Sequence, residues 1–595
     1  MPDVDRRPTQ RRTAPAPGRH PSPFDLLAAT VREVPQRTAL ECLDDLAGAP
    51  QALSYRQLLL DVQRFAAALR ATGIRQEEAV AILLPFVPQA VVALLAASAV
   101  AVAFPVNLLL SAEAIRTQLE LARCRVVVCL GPHPALDVRE RVGQALAAMA
   151  GPPLLVEVPL AGATPGALCW NAFIARSASG VDAPDAPERL GALVHTGGST
   201  GQPRLARLSL RNMASAALMA GAGLGIRPEE RLLSGLPLFH VGGAIDALLA
   251  ALAVGATLVF PTALGMRNPA VVRQVWQIVA RYRITLLAAV PTSLAAIRDS
   301  PLADADLSQL RALMTGGSPL PEELARHLRA RTGKPIYQLY GMTESSGIAS
   351  AQLTSGQPAA HAAGVPVPGV EIALGEPGVY RPGAKGEILV RGPNVFHGYL
   401  TAQGVVDDPR GGWLASGDLG EVTADGELRI VGRSKDVIIR SGHNIDPLLI
   451  EETAHQHPDV AQAAAVAMPD DYAGEVPVLF VVARAGAQVM PGEIATFVAQ
   501  RIAEPPARPR QVFVLDELPL TPFGKIARFR LRQRAVEQRV GELLAERLGA
   551  ITVSCDDPAA RRVTIGSGQR LEEPRRAEIE RLLQRFDLQL EIRQR

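Results

Sequence analysis

Little in this 595-residue chain would commit it to a membrane, a disulfide framework or a nucleic acid. Its longest apolar run, Ala90 to Phe104, ends at Pro105 and Asn107 and is short for a bilayer span. A buried helix entered from the turn at Pro85 and Pro88 is expected there, and no transmembrane segment. The five cysteines (Cys42, Cys124, Cys129, Cys169 and Cys555) are scattered, with no C-x-x-C pair. That argues against a zinc site or disulfide stapling and fits a reducing cytoplasm. Net charge is +2, so there is no global footprint for nucleic acid. Residues 1–22 carry Arg6, Arg7, Arg11, Arg12 and Arg19 among prolines without an apolar core. They are no secretory signal, and a disordered basic arm is expected.

What the chain does have is enough apolar material, 48% of residues, for several cores. Its length predicts roughly two to four domains. From Pro23 onward short apolar strands alternate with helical spacing. Ala79–Pro85, Arg125–Leu130 and Leu154–Val158 read as buried strands, and Leu58, Leu59, Val62, Phe65, Ala66 and Leu69 fall on one helical face. Such alternation predicts parallel sheets covered by helices. From Gly364 the pattern turns to short alternating strands with glycine turns, a small β-rich subdomain. Gly432–Asp436 reads as a boundary. Beyond it lies a compact α+β domain, and residues 537–595 read as a further α+β appendix.

The stretch Leu193 to Asn212 carries the strongest chemistry. An apolar strand runs into Thr196, Gly197, Gly198, Ser199, Thr200, Gly201 and then Arg204. Glycines allow close approach, and backbone N–H groups and hydroxyls can cradle phosphate oxygens. Arg204 adds a permanent charge in a fork suited to phosphate. Neither G-x-x-x-x-G-K-[ST] nor a helix-opening G-x-G-x-x-G is present. A flexible Ser/Gly surface loop has the same composition.

Further along, Gln338, Tyr340, Gly341, Met342, Thr343 and Glu344 offer an amide, an aromatic face for a purine, a hydroxyl for phosphate and a hard oxygen for Mg²⁺. Gly316, Gly317, Ser318 and Pro319 read as a strand-to-helix turn, where parallel sheets bind ligands. Ser416-Gly417-Asp418 places a carboxylate on a tight turn, with Arg433 following as a second ribose contact. Lys525 is exposed after a stiff approach, Leu518 to Pro522. His240 reads as a core histidine or as a ligand in a cleft.

The order and spacing of these segments resemble the adenylate-forming, AMP-binding superfamily: acyl-CoA synthetases, firefly luciferases and peptide-synthetase adenylation domains, and above all bacterial fatty-acyl-CoA ligases. The resemblance covers roughly residues 23–535. It implies an α/β multidomain fold. A large N-terminal domain, 23–431, would hold two parallel α/β sheet subdomains and the β-rich one. A small mobile α+β domain, 432–536, would carry the catalytic lysine, and the appendix, 537–595, has no implied role. It also implies ATP, Mg²⁺ and CoA as cofactors and a carboxylic acid, of medium or long chain, as substrate. Lys525 would bridge acid and α-phosphate, beside His240 and Arg204. Glu344 would hold the metal, while Asp418 and Arg433 hold the ribose. Lys435 would be the hinge that brings Arg440, Ser441 and Gly442 to a CoA channel. Val241, Gly242, Gly243, Met314, Gly316 and Met342 would line an apolar acyl pocket.

Two departures stand out. The usual Pro-Lys-Gly of the cradle is Pro203-Arg204-Leu205 here. The position where amino-acid-activating relatives carry an aspartate falls on Gly242, which speaks against an α-amino acid. Two other readings stay open: delivery of the acyl group to a carrier protein, and a non-catalytic scaffold working through 537–595. A homodimer also stays open.

Overall fold

The computed structural model describes residues 21–595 except 44, 45, 47, 176–185, 197–203, 355–357, 359–361, 408, 410, 411, 435, 442, 522–524, 549–551, 558, 559, 568–572, 585, 587 and 595. Most of the arm expected over 1–22 therefore lies outside the described residues. Its last member, Ser22, is ordered: it caps the helix Pro23–Glu33 in a reciprocal capping box with Asp25.

Two large sheets build the N-terminal domain. One has nine strands, with a parallel centre from Ile336–Met342 through Ala312–Gly316, Leu286–Ala288, Arg231–Ser234 and Thr257–Phe260 to Thr38–Cys42. The other has eight strands and runs parallel from Leu190–Thr196 through Val102–Pro105, Ala79–Leu83 and Cys124–Leu130 to Leu154–Val158. Antiparallel strands close the edges, so the sheets are mixed. Alternate side chains of one strand serve different cores. Val80 and Ile82 face the core shared with helices Tyr55–Ala71, Pro88–Val100 and Leu210–Gly223, while Ala79, Ala81 and Leu83 face the opposite layer. Both faces being covered explains the continuous apolar runs. The segment Ala90–Phe104 is a helix, Pro88–Val100, followed by a buried strand. No helix among the described residues is long and apolar enough to cross a membrane.

A four-stranded antiparallel sheet follows, Glu371–Leu374, Lys385–Arg391, Leu414–Val422 and Leu428–Arg433. The next unit packs helices Pro447–His455 and Pro491–Arg501 on a sheet centred on Val460–Asp470 and Gly474–Ala483. Its last helix, Arg528–Leu548, runs unbroken across the boundary expected at 536/537. The far half of that helix, with Val540 and Leu544, shares a small core with Val563, Ile565, Ile579 and Leu583 of the appendix.

The apolar helix expected over Ala244–Val254 starts as a π-helix, Gly242–Leu249, before becoming α-helical. Gly243 makes this winding fit, because a Cβ there would lie 2.2 Å from the Pro237 carbonyl oxygen. A left-handed Gly255 ends the helix.

Candidate active site

Strands Leu190–Thr196 and Arg204–Ser209 pair antiparallel, with Thr196 opposite Arg204. The two ends of the cradle are thus paired strands, and Gly197, Gly198, Ser199, Thr200 and Gly201 lie outside the described residues. At its base the Thr196 hydroxyl donates to the Arg204 carbonyl at 3.4 Å. The Arg204 guanidinium lies over the Tyr399 ring, 4.2 Å from its centroid, and is paired with Asp407. The Tyr399 hydroxyl donates to Glu344 Oε1. Burial and the Glu344 charge push that phenol well above its ordinary pKa. One ring therefore links the cradle cation to the carboxylate expected to hold a metal. Tyr399 and Asp407 were not evident in the sequence. Only the pairing of Tyr399 with Ala206 across the sheet edge brings them here.

Asp418 is buried within the strand Leu414–Val422, directly opposite Arg433, and not on the tight turn expected of Ser416-Gly417-Asp418. Cross-strand register forms the pair, with Arg433 Nε 3.0 Å from Asp418 Oδ1. The Tyr340 hydroxyl donates to Asp418 Oδ2 at 2.8 Å. Gln338 and Gly341 lie on the same strand as Tyr340, and Thr343 and Glu344 open the 3₁₀ turn that follows. A Cβ on Gly341 would lie 2.0 Å from the Gly347 carbonyl oxygen, so glycine is required for this hairpin to close. Asn394, also missed from the sequence, is fully buried beneath the turn. Its amide donates to the carbonyls of Ser345 at 3.0 Å and Ile348 at 3.1 Å.

Lys525 differs from expectation in being half-buried instead of exposed. A bridge between Leu520 and Ile526 closes its loop, and its amide donates to the Thr521 hydroxyl at 3.2 Å. The side chain lies over Gly317. A Cβ there would be 3.6 Å from Lys525 Cε and 3.9 Å from Nζ. Gly317 has φ +83, a conformation that suits glycine. Ser318 is half-buried and Pro319 exposed at the start of this turn. Burial, then the Arg433 charge, lower the Lys525 pKa, while Asp418 and Glu344 oppose them. His240 feels the same ammonium: burial first, then Lys525, push its pKa down to about 3. Its Nδ1 accepts the Gly242 N–H at 3.1 Å, so the neutral ring carries its proton on Nε2. The second domain thus delivers one cation to a group made of His240, Glu344, Asp418 and Arg433.

The small residues expected to open an acyl pocket do different things. Gly242 is closely covered by the histidine: a Cβ there would lie 3.3 Å from His240 Nδ1 and 3.9 Å from Leu236 Cδ1. Gly243 and Gly316 instead make room for neighbours, since a Cβ on Gly316 would lie 2.7 Å from Leu339 Cδ1 and Cγ. A larger side chain at Gly316 would strain the strand pair before it shortened any pocket. Val241 and Met314 are buried, and Met342 is half-buried opposite Gly347. Lys435 and Gly442 lie outside the described residues. Arg440 donates to the Pro506 carbonyl at 2.8 Å, within its own domain, and exposed Ser441 has φ +48 at a hairpin turn. Neither is brought to Lys525 in this arrangement.

A chain with this arrangement matches known proteins over most of its length. Residues 27–400 match the model of the AMP-binding enzyme family, and residues 449–525 that of the AMP-binding enzyme C-terminal domain. Marinolic acid–CoA ligase of Pseudoalteromonas sp. (strain SANK 73390) is 34% identical over 522 residues, 83% of this chain and 78% of its own. Indoleacetate–CoA ligase of Aromatoleum aromaticum is 35% identical over 492 residues, 81% and 93% of the two chains. Among solved structures, the anthranilate CoA ligase AuaEII in complex with anthranoyl-AMP aligns with a TM-score of 0.76 at 25% identity, over 87% of this chain and 98% of that one. The chain belongs to the AMP-binding enzyme family, within the adenylate-forming superfamily. It is an acid–thiol ligase that joins a carboxylic acid to CoA through an acyl-adenylate.

Proposed function

We propose that this ligase activates an acid with a large apolar body, fatty-acid-sized or ring-bearing, and that the arrangement described is the one that makes the adenylate. The observation that carries the reading is Lys525 seated over Gly317 beside His240, Glu344, Asp418 and Arg433. Two anions, a carboxylate and an α-phosphate, must approach each other in this reaction. An ammonium placed between them by a second domain lowers that repulsion where charge develops. His240, neutral and protonated on Nε2, would orient the acid through a hydrogen bond without adding charge. Asp418, braced by Tyr340 and Arg433, would accept the ribose hydroxyls. Arg204 would leave Asp407 for the phosphates.

Among the described residues no group of three His, Cys, Asp or Glu side chains could hold a metal alone. A lone half-buried carboxylate fits Mg²⁺, which takes few protein ligands when phosphate oxygens complete its shell. Glu344 would hold it, and the ion supplies charge neutralisation at the phosphates when bound. The relatives named above bear on size: marinolic, indoleacetic and anthranilic acids include ring-bearing acids, so the fatty-acid expectation widens to bulky apolar acids.

Pyrophosphate release over a panel of straight-chain and aromatic acids, with and without CoA, tests the reading. Each buried methylene contributes roughly 0.8 kcal/mol, so kcat/KM should climb from acetate to medium-chain or ring-bearing acids. A best substrate of acetate would overturn it.

A further inference from the structure

The appendix lies beyond both family matches, the later of which ends at 525, yet it is firmly built onto the second domain. The helix Arg528–Leu548 is buried in two cores at once. Its near half gives Leu531 and Ala535 to a core of the second domain, with Val466, Phe480 and Leu518. Its far half gives Val536, Val540 and Leu544 to the appendix core, with Val563, Ile565 and Leu583. Gln533 donates to the Asp557 carbonyl at 2.9 Å, and Glu537 accepts the Cys555 N–H at 2.8 Å. The appendix therefore moves with the second domain as one body, because a swing between them would open one of two packed cores.

Arg539 stands where the two cores meet. It follows Leu531 and Ala535 at steps of four along the helix, on the face turned to the second domain. Its guanidinium is largely buried, with the Phe586 ring of the appendix 6.0 Å away. On the other side it donates to Asp471 Oδ2 at 3.0 Å. Asp471 belongs to the turn between strands Val460–Asp470 and Gly474–Ala483. Asp470 shapes that turn by accepting the N–H groups of Tyr472 at 3.1 Å and Ala473 at 2.9 Å. The Ala473 carbonyl accepts the Ser441 N–H at 2.8 Å, and Arg440 lies opposite Gly474. A continuous line of bonded groups thus runs from the appendix to the hairpin of Ile438–Arg440 and His443–Ile445. That hairpin sits at the edge of its sheet with Ile439 and Ser441 exposed, so its position depends on what holds its base.

We propose that Arg539 is a positioning residue for the second half-reaction: through Asp471 the appendix holds the 470–474 turn, and with it the Arg440–Ser441 hairpin, in the geometry that meets the thiol of CoA. The proposal rests on the reading that this hairpin turns to the site once the adenylate has formed. It gives the appendix a mechanical part in thioester formation. In the arrangement described the hairpin is away from Lys525, so the brace takes no part in making the adenylate.

The test separates the two half-reactions of the full-length enzyme in single turnovers. Arg539→Ala should make adenylate within about twofold of the wild-type rate, yet form thioester from supplied acyl-adenylate about fivefold more slowly at subsaturating CoA. Asp471→Ala should do the same, and the double variant should lose no more than either alone. Exchanging the charges, Arg539→Asp together with Asp471→Arg, should recover most of the loss, which a side chain acting only by its volume would not do. Where circular dichroism shows the Arg539 variants unfolded, Asp471→Ala decides, because Asp471 is 40% exposed and lies outside both cores. Equal slowing of both half-reactions overturns the proposal, as does an unchanged thioester step, or single losses that add in the double variant. Lys435→Pro tells this proposal from the reading beneath it. If that variant blocks transfer to CoA and the Arg539 variants do not, the brace alone fails. If it transfers to CoA at the wild-type rate, the turning of the hairpin fails and the brace with it.

Discussion

Lys525 shows how one side chain is made useful by its surroundings. It reaches across from the second domain to Gly317, and burial, then the Arg433 charge, weaken its hold on a proton, while Asp418 and Glu344 strengthen it. Under the proposed function, a lysine placed this way would serve the step in which acid and phosphate meet. Lys525→Ala should therefore reduce adenylate formation by orders of magnitude, yet leave thioester formation from supplied acyl-adenylate near the wild-type rate. Single-turnover assays of the two half-reactions measure this, and equal loss in both would remove the role given to Lys525. Arg204 is the opposite case, a cation whose partners are already in place. It stacks on Tyr399 and pairs with Asp407, and under the proposed function it would have to leave Asp407 to reach phosphate.

At the scale of elements, the turn that carries Glu344 depends on a residue from the loop after the strand Lys385–Arg391. The Asn394 side-chain amide bonds the carbonyls of Ser345 and Ile348, and its main-chain carbonyl accepts the Ser346 hydroxyl at 2.7 Å. Asn394→Ala leaves two buried carbonyls without their donor, a loss of about 1–3 kcal/mol for each group. Unfolding in urea should show a lower midpoint, and KM for ATP should rise; a variant matching wild type in both would detach this turn from the site. The helix Pro447–His455 offers a pH-dependent case. Asp446 caps it through the Leu448 N–H at 2.9 Å, yet burial and the nearby Glu451 and Glu452 push its pKa up to about 7. An acid that binds its proton more tightly folded than unfolded loses stability as pH rises from the unfolded value, near 4, through about 7. Asn caps a helix equally well. Asp446→Asn should therefore gain stability relative to wild type between pH 4 and pH 8, by roughly 1–4 kcal/mol. Parallel stability curves for the two proteins would refute the assignment.

For the whole molecule, the question is what holds two domains in the arrangement that seats Lys525. Glu323 joins Arg298 of its own domain, at 3.0 Å, to Arg484 of the second, at 3.4 Å. Ser434 adds two bonds to the Gly417 carbonyl at the crossing point. Single ion pairs contribute up to about 1 kcal/mol, so Arg484→Ala should slow adenylate formation about two- to fivefold and spare the thioester step. Stopped-flow measurement of each half-reaction checks the asymmetry; equal slowing of both would argue against a latch. Lys435→Pro tests the hinge expected at Lys435, because proline would fix φ near −65°. Adenylate should still form while thioester formation falls by orders of magnitude, and unimpaired transfer to CoA would place the hinge elsewhere.

Local chemistry was readable from the chain itself. The alternating buried strands and the family resemblance rest on short contiguous signals, because each depends on neighbours a few residues away. What tertiary structure decided is every relation across sheets and domains. The register that sets Asp418 against Arg433, the edge pairing that carries Tyr399 to Arg204, and the burial of Lys525 over Gly317 all join residues far apart in sequence. Asn394 gave no signal, since one asparagine in a loop is ordinary until packing removes water from it. Gly243 and Gly316 misled in the same way. A glycine in sequence marks absent volume, and only the packed neighbours determine whether a substrate or the protein's own backbone occupies it.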